Sequence, residues 1–233
     1  MNIKKIIIIN CAILSLIGAF YAYAELPKET YHIDKNFSVV PNNPKANKKV
    51  ILLTVDDGPS KNSKALIDLF KKHNIKVIFF VNGLHNRSNP GVISDIYKAG
   101  HNIGNHTWSH PNLKLITDKN SKKEIDDNTK IIKKITGENP RFFRPPYGAS
   151  TPYIRNYVKE NGMLFMNWSG SAKDWEKKSR DEKIYIENIT KDIYNGSIIL
   201  IHEHAWSIPY IDTLILKLKK DGYIFVDPKD ITK

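Results

Sequence analysis

Cysteine is all but missing from these 233 residues: Cys11 stands alone, and no lipobox precedes it. Everything after Ala24 therefore folds without a disulfide, so an oxidising compartment is tolerated and not exploited. Acid is scarce beside base, with 24 Asp and Glu against 36 Lys and Arg, and Lys4 and Lys5 supply two units of the formal net charge of +12. Such a surface favours anionic surroundings, for instance an anionic cell-envelope polymer. Scattered lysines on a solvated face account for the same excess. No nucleic-acid-binding motif is present, and a chain start that reads as an export signal argues against nucleic acid as a partner. Internal repeats and low-complexity segments are also absent. The length suits one α/β domain with a sizeable core.

The apolar run Ile6 to Phe20 lies at the start, follows Lys4-Lys5 and is broken only by Asn10 and Ser15. Ala22-Tyr23-Ala24 then fits a small-residue cleavage site before Glu25. Residues 1–24 are expected to be a secretory signal peptide, leaving no stable membrane span after cleavage. The product is expected in the periplasm, in the cell envelope or outside the cell; an uncleaved anchor is the alternative. Residues 25–49, polar and carrying Pro27, Pro41 and Pro44, read as an N-terminal extension that tethers the domain or lies across it as a strand.

From Val50 to the end, apolar runs alternate with amphipathic ones. Strands are expected at Val50–Val55, Lys76–Val81, His101–Asn105, Arg141–Arg144, Met163–Trp168, Ile198–His202 and Tyr223–Val226. Helices are expected at Ser63–His73, Gly91–Ala99, Ser121–Thr136, Thr151–Glu160, Asp181–Tyr194 and Pro209–Lys220. Buried strands alternating with helices predict a parallel α/β sheet. An open doubly wound sheet meets that description too. A barrel is favoured because five candidate site regions follow the C-terminal ends of five strands.

The first of those regions is Thr54-Val55-Asp56-Asp57-Gly58-Pro59. Two adjacent carboxylates at a strand end repel, unless one holds a cation and the other is kept as a base. A solvated Asp-Gly-Pro turn is the plainer explanation for this stretch taken alone. His106-Thr107-Trp108-Ser109-His110-Pro111 decides between them. On a helical turn, residues four apart share a face, so His106 and His110 can reach one ion. With an Asp they leave open positions on a divalent metal, as a catalytic site needs. In Arg144-Pro145-Pro146-Tyr147-Gly148 two prolines stiffen a loop that presents Arg144 and the Tyr147 N–H; a basic surface loop is the alternative. Asn167 to Trp175 brings two tryptophans close to small polar residues, which suits sugar stacking or a core. The run Ser197 to Ile201 ends in His202, a third ligand, a proton donor or a structural histidine.

In order and in wording these stretches resemble the NodB-type polysaccharide deacetylases, carbohydrate esterase family four. TVDDGP resembles T-F-D-D-G-P, HTWSHP matches H-[ST]-x-x-H-P, RPPYG matches R-P-P-[YF]-G, NWSGSAKDW keeps Asp174-Trp175, and LIHEH resembles L-x-H-D. The resemblance implies a distorted (β/α)7 barrel, the NodB homology domain, over residues 50–233. It implies an exported metal-dependent hydrolase that removes N-acetyl groups from the amino sugars of a glycan: peptidoglycan, chitin-like, exopolysaccharide or lipopolysaccharide. An O-acetyl esterase and a non-catalytic carbohydrate-binding relative are the alternatives. It further implies Asp57, His106 and His110 as metal ligands, for Zn²⁺ most of all, with Co²⁺ or Ni²⁺ as substitutes. By the same resemblance Asp56 is the general base, Arg144 orients it, His202 is the general acid, Tyr147 supplies the oxyanion N–H, and Trp175 and Leu200 line the acetyl pocket. Ser171 stands where the family usually has an Asp that tunes the acid histidine, and Glu203 replaces the motif's Asp. The expectation is that His202 lacks an anionic partner and has a lowered pKa.

Overall fold

The computed structural model describes residues 28–232, so the expected signal peptide, residues 1–24, lies outside the described residues. Among the described residues no helix is long and apolar enough to cross a membrane. Two short strands, β1 (Tyr31–Ile33) and β2 (Val39–Pro41), pair antiparallel within the N-terminal extension. They are laced to the rest of the chain, Val39 N donating to Gly196 O at 2.8 Å and Thr232 N to Tyr31 O at 2.7 Å.

The main sheet contains β3 (Lys49–Gly58), β4 (Ile78–Val81), β5 (Asn102–Asn105), β6 (Phe142–Phe143), β7 (Leu164–Phe165), β8 (Gly170–Ser171), β9 (Ile198–His202) and β10 (Tyr223–Phe225). Its order is β7-β6-β5-β4-β3-β9-β8, with β10 on β3, and the pairings are parallel. Started from β8, that order is a cyclic permutation of the sequence order. A doubly wound sheet would reverse direction partway. Steps in one direction through right-handed crossovers put the helices on one face, so the sheet curls as a barrel. It stays open between β7 and β8, which are not paired among the described residues. This is the distorted (β/α)7 architecture.

Period-two alternation sorts the strand residues. Ile51, Leu53 and Val55 of β3, Val77, Phe79 and Val81 around β4, and Ile199 and Ile201 of β9 pack outward in one large core. The same core takes Leu66 and Phe70 from the helix Ser63–Lys72, and Ile211, Leu214, Ile215 and Leu218 from the helix Ile208–Lys220. Val50, Leu52, Ile78, Phe80, Phe142 and Ile198 face the barrel interior. The inward parity of β3 continues through Thr54 to Asp56, and that of β9 through Leu200 to His202. Asp56 and His202 are register partners. At Gly104 of β5 an added Cβ would run into the Phe80 ring, so this glycine makes room for the aromatic floor beneath the site.

Three elements depart from the expectations. The expected strand Met163–Trp168 shrinks to β7, and β8 forms at Gly170–Ser171, whose small polar residues carry no apolar run. Its pairing comes from β9, a neighbour distant in sequence. A short helix, Gly83–Ser88, also appears without any apolar periodicity of its own.

Candidate active site

Asp57 breaks the parity of β3. Its backbone is left-handed (φ 63°), and the register with β4 shifts between Asp56 and Gly58. In a regular strand neighbouring side chains oppose one another; the bulge returns Asp57 to the side of Asp56. Both carboxylates then face one imidazole, His106 Nε2 lying 3.7 Å from Asp56 Oδ2 and 3.5 Å from Asp57 Oδ1.

The two motif histidines do come together, but not on the helical turn that their spacing suggests. Thr107 (φ 69°) and His110 (φ 61°) are left-handed, and the segment loops instead of spiralling. Local hydrogen bonds hold that loop: Thr107 N donates to Asn105 Oδ1 at 2.8 Å and His110 N to Thr107 Oγ1 at 3.1 Å. Asn128, from the helix Asp118–Thr136, donates to Asn105 Oδ1 at 3.1 Å and to Val81 O at 2.7 Å. The rings of His106 and His110 meet edge-on at 4.9 Å.

His106 Nδ1 donates to the Arg144 carbonyl at 2.7 Å, which fixes the tautomer and turns the Nε2 lone pair toward Asp57. Burial pushes the His106 pKa down to about 3, keeping the ring neutral. His110 Nε2 lies 3.2 Å from Asp57 Oδ1. That oxygen is buried and has no hydrogen-bond partner, and the ligand atoms of the trio lie within 4.8 Å of one another. A buried carboxylate oxygen aimed at two imidazole nitrogens is costly by itself and is satisfied by a cation. An N₂O donor set with one open side fits a divalent metal such as Zn²⁺.

Asp56 is 2% exposed, and the fully buried Arg144 sits behind it. Arg144 donates from Nη1 to Asp56 Oδ1 and Thr54 Oγ1, both at 2.7 Å, and from Nη2 to Asn167 O at 3.1 Å. Its guanidinium lies over the Phe80 ring, 4.3 Å from the centroid. Burial raises the Asp56 pKa above the ordinary carboxylate value, opposed by the charge and hydrogen bond of Arg144. A carboxylate so placed is anchored through one oxygen and directs the other, Oδ2, toward the trio.

His202 differs from the expectation. Its Nδ1 donates to Asp174 Oδ1 at 2.6 Å, and its backbone N donates to Asp174 Oδ2 at 2.8 Å. Burial works against the imidazolium. The hydrogen bond and charge of Asp174, with Asp56 and Asp57 adding, outweigh it and raise the pKa to about 9. The anionic partner is thus present in Asp174, and the pKa moves up, not down. Ser171 instead accepts the Lys173 N–H at 3.0 Å. His202 Nε2 points back to the trio, 3.6 Å from Asp57 Oδ2.

Glu203, one residue on, follows the outward parity of β9. Its Oε2 accepts from Ser60 N (3.0 Å), Ser60 Oγ (2.5 Å) and Ser63 Oγ (2.6 Å). It ties the end of β9 to the segment after Asp57, at the start of the helix Ser63–Lys72, and burial raises its pKa.

One pocket of about 450 Å³ is lined by Asp56, Asp57, His106, His110, Tyr147, Trp175, Leu200 and His202, together with Pro145 and Trp168. Arg144 lies beneath it. Tyr147 is left-handed (φ 58°) and 67% exposed, its ring edge-on to His110 at 4.8 Å. Trp175, 57% exposed, stands edge-on to His202 at 5.9 Å. Three contributors escaped the sequence reading: Asp174 as the partner of His202, Glu203 as a staple, and Asn105 with Asn128 as the frame of the histidine loop. Only Asp174 carried a signal, its place beside Trp175 in the fourth motif.

Polysaccharide deacetylase is the family whose pattern matches residues 43–166 of the chain. The peptidoglycan-N-acetylglucosamine deacetylase PgdA of Listeria monocytogenes is 36% identical over 190 residues, 80% of this chain and 40% of the relative. The peptidoglycan-N-acetylmuramic acid deacetylase PdaC of Bacillus subtilis is 36% identical over 200 residues, 85% of this chain and 41% of the relative. The chain therefore spans about two fifths of the length of these curated relatives. Among solved structures, a peptidoglycan N-acetylglucosamine deacetylase superposes with a TM-score of 0.73 at 32% identity, covering 77% of this chain and 86% of that one.

Proposed function

This chain belongs to the polysaccharide deacetylase family, and we propose that it removes N-acetyl groups from the amino sugars of peptidoglycan with the help of a divalent metal. One observation carries the reading. A single pocket gathers an open N₂O donor set, an Arg-anchored buried carboxylate and a histidine held protonated by Asp174. The substrate class rests on the relatives, whose names specify peptidoglycan sugars.

In this mechanism Asp57, His106 and His110 hold the metal, Zn²⁺ by donor type, with Co²⁺ and Ni²⁺ as substitutes. When bound it acts as a Lewis acid and lowers the pKa of water. Asp56 Oδ2 removes a proton from the water that attacks the acetyl carbon, while Arg144 keeps the carboxylate in place through Oδ1. The Tyr147 backbone N–H, on its rigid Pro-Pro loop, meets the oxyanion that forms on the acetyl oxygen. His202 Nε2–H then gives its proton to the sugar nitrogen as the C–N bond breaks, leaving acetate and a free amine. Trp175 and Leu200 enclose the acetyl methyl and limit the entry of bulk water.

The state of His202 favours amide over ester cleavage. An amine leaves poorly without a proton, and an imidazolium with a pKa of about 9 supplies it across neutral pH. Ser171 in place of the family's usual Asp motivates the non-catalytic alternative, and the Asp174 contact weighs against it by giving His202 an anionic partner. Acetate release from N-acetylated peptidoglycan and from O-acetylated xylan separates these readings: N-deacetylation should dominate. Ester cleavage alone would replace it with the esterase, and no release from either substrate, with metal bound, with the binding protein.

Export belongs to the same proposal. The basic start, apolar run and Ala22-Tyr23-Ala24 support a mature chain beginning at Glu25. Mass spectrometry of the native protein with residues 1–24 retained would replace a periplasmic or secreted enzyme with an anchored one.

A further inference from the structure

A second hollow of about 590 Å³ adjoins the catalytic pocket, and Asp57, Trp175 and His202 line both. The far part of this hollow is built from other residues. His204 stacks on Trp206 at 5.3 Å with the rings 12° apart, and the Arg180 guanidinium lies 5.9 Å from the Trp206 ring. Lys177 completes the rim. Trp175, exposed, and the His204–Trp206 stack give the hollow flat apolar surface of the kind on which a sugar ring rests.

Its charges do not cancel. Asp174 is taken by His202, and Asp57 faces the histidine pair. Glu203 keeps its charge but turns its Oε2 away from the rim to the hydroxyls of Ser60 and Ser63. Glu176 pairs with Lys178 at 2.8 Å. Among the described residues, Lys177 and Arg180 have no carboxylate at ion-pair distance. Two uncompensated cations next to aromatic faces, one of them an arginine suited to bidentate carboxylate binding, form a recognition surface for an acidic sugar.

We infer that this hollow is a subsite for the sugar next to the one being deacetylated, and that it selects a neighbour bearing a carboxylate. The inference rests on the proposed deacetylase reading and deepens it. In peptidoglycan alternate sugars carry a lactyl-linked peptide with free carboxylates, whereas a chitin-like chain carries none. The site thus favours an acidic glycan over a neutral one of equal length through contacts away from the reacting acetyl group.

The test uses the mature protein loaded with Zn²⁺ and two substrates of equal sugar length, a peptidoglycan fragment and an N-acetylglucosamine oligomer. The ratio of their kcat/KM values should fall about tenfold in the double variant Lys177→Glu with Arg180→Glu, mostly through KM for the fragment. Added salt should shrink the wild-type preference in the same direction. An unchanged ratio, or equal losses on both substrates, overturns the subsite. Calorimetric binding of the fragment to metal-free protein gives a readout independent of turnover. Wild-type binding that the double variant loses supports the subsite even if no acetate is released, the result that would overturn the deacetylase reading alone. Equal binding by both proteins overturns the subsite.

Discussion

Replacing Asp174 by Asn should change the pH range of the reaction more than it changes the fold. Asp174 accepts both the Nδ1–H and the backbone N–H of His202, at 2.6 and 2.8 Å. Burial alone drives the imidazole toward its neutral form; the hydrogen bond and charge of Asp174 lead the contributions that carry it up to about 9. A cation on Asp57 offsets that carboxylate's share, so Asp174 decides the outcome in the working protein. Asn keeps the shape, removes the charge and retains one acceptor for the two N–H groups of His202, and the His202 pKa should return to its ordinary value near 6.5 or fall below it. The sign follows from the role. The acid is active when protonated, so wild-type activity should be full through neutral pH and should fade as pH rises toward about 9. In Asp174→Asn it fades more than two units lower. At about pH 7.5 the protonated fraction falls from nearly all to about a tenth, a loss of about tenfold from protonation alone. The assay is kcat/KM for acetate release from an N-acetylglucosamine oligomer against pH. An alkaline limb that stays near 9 in the variant would refute the pairing as the source of the acid. Ser171→Asp serves as the control and should not extend the limb, because the Nδ1–H is already engaged.

Asp56→Asn should keep its metal, measured by elemental analysis, while acetate release falls by about 100-fold or more, the scale of a lost general base. Equal metal loss in Asp56→Asn and Asp57→Asn would mean that the roles of the pair are divided wrongly. Glu203→Ala should lower stability by about 1–3 kcal/mol, since it strands the hydroxyls of Ser60 and Ser63 at a helix start, while the Ser60 N–H keeps Ser63 Oγ as its acceptor. Thermal melting reads that loss, and an unchanged melting temperature would show that the staple is dispensable.

The barrel and its mouth were legible because their signals are local. Apolar runs of strand length alternate with amphipathic stretches, and the motif residues sit at the C-terminal ends of the runs. The parity that places Asp56 and His202 on one face can be counted off β3 and β9. What escaped depends on backbone conformation or on partners far along the chain. Spacing alone made His106 and His110 look helical, whereas left-handed Thr107 and His110, framed by Asn105 and Asn128, form a loop. Nothing in the sequence around Asp57 reveals that it turns back to join Asp56. The family resemblance points to position 171 for the partner of His202, whereas the partner is Asp174, three residues beyond Ser171, which ends a strand too short and too polar to be recognised. Glu203, the acid next to His202 in sequence, is turned outward by the alternation along β9 and meets Ser60 and Ser63.

Stoichiometric reconstitution tests the central claim most directly. Protein stripped by a chelator and verified metal-free is titrated with Zn²⁺ while acetate release from peptidoglycan is followed. The account predicts no release at zero metal, a linear rise, and a plateau at about one equivalent that His106→Ala and His110→Ala fail to reach. Full activity of the verified metal-free protein would contradict it.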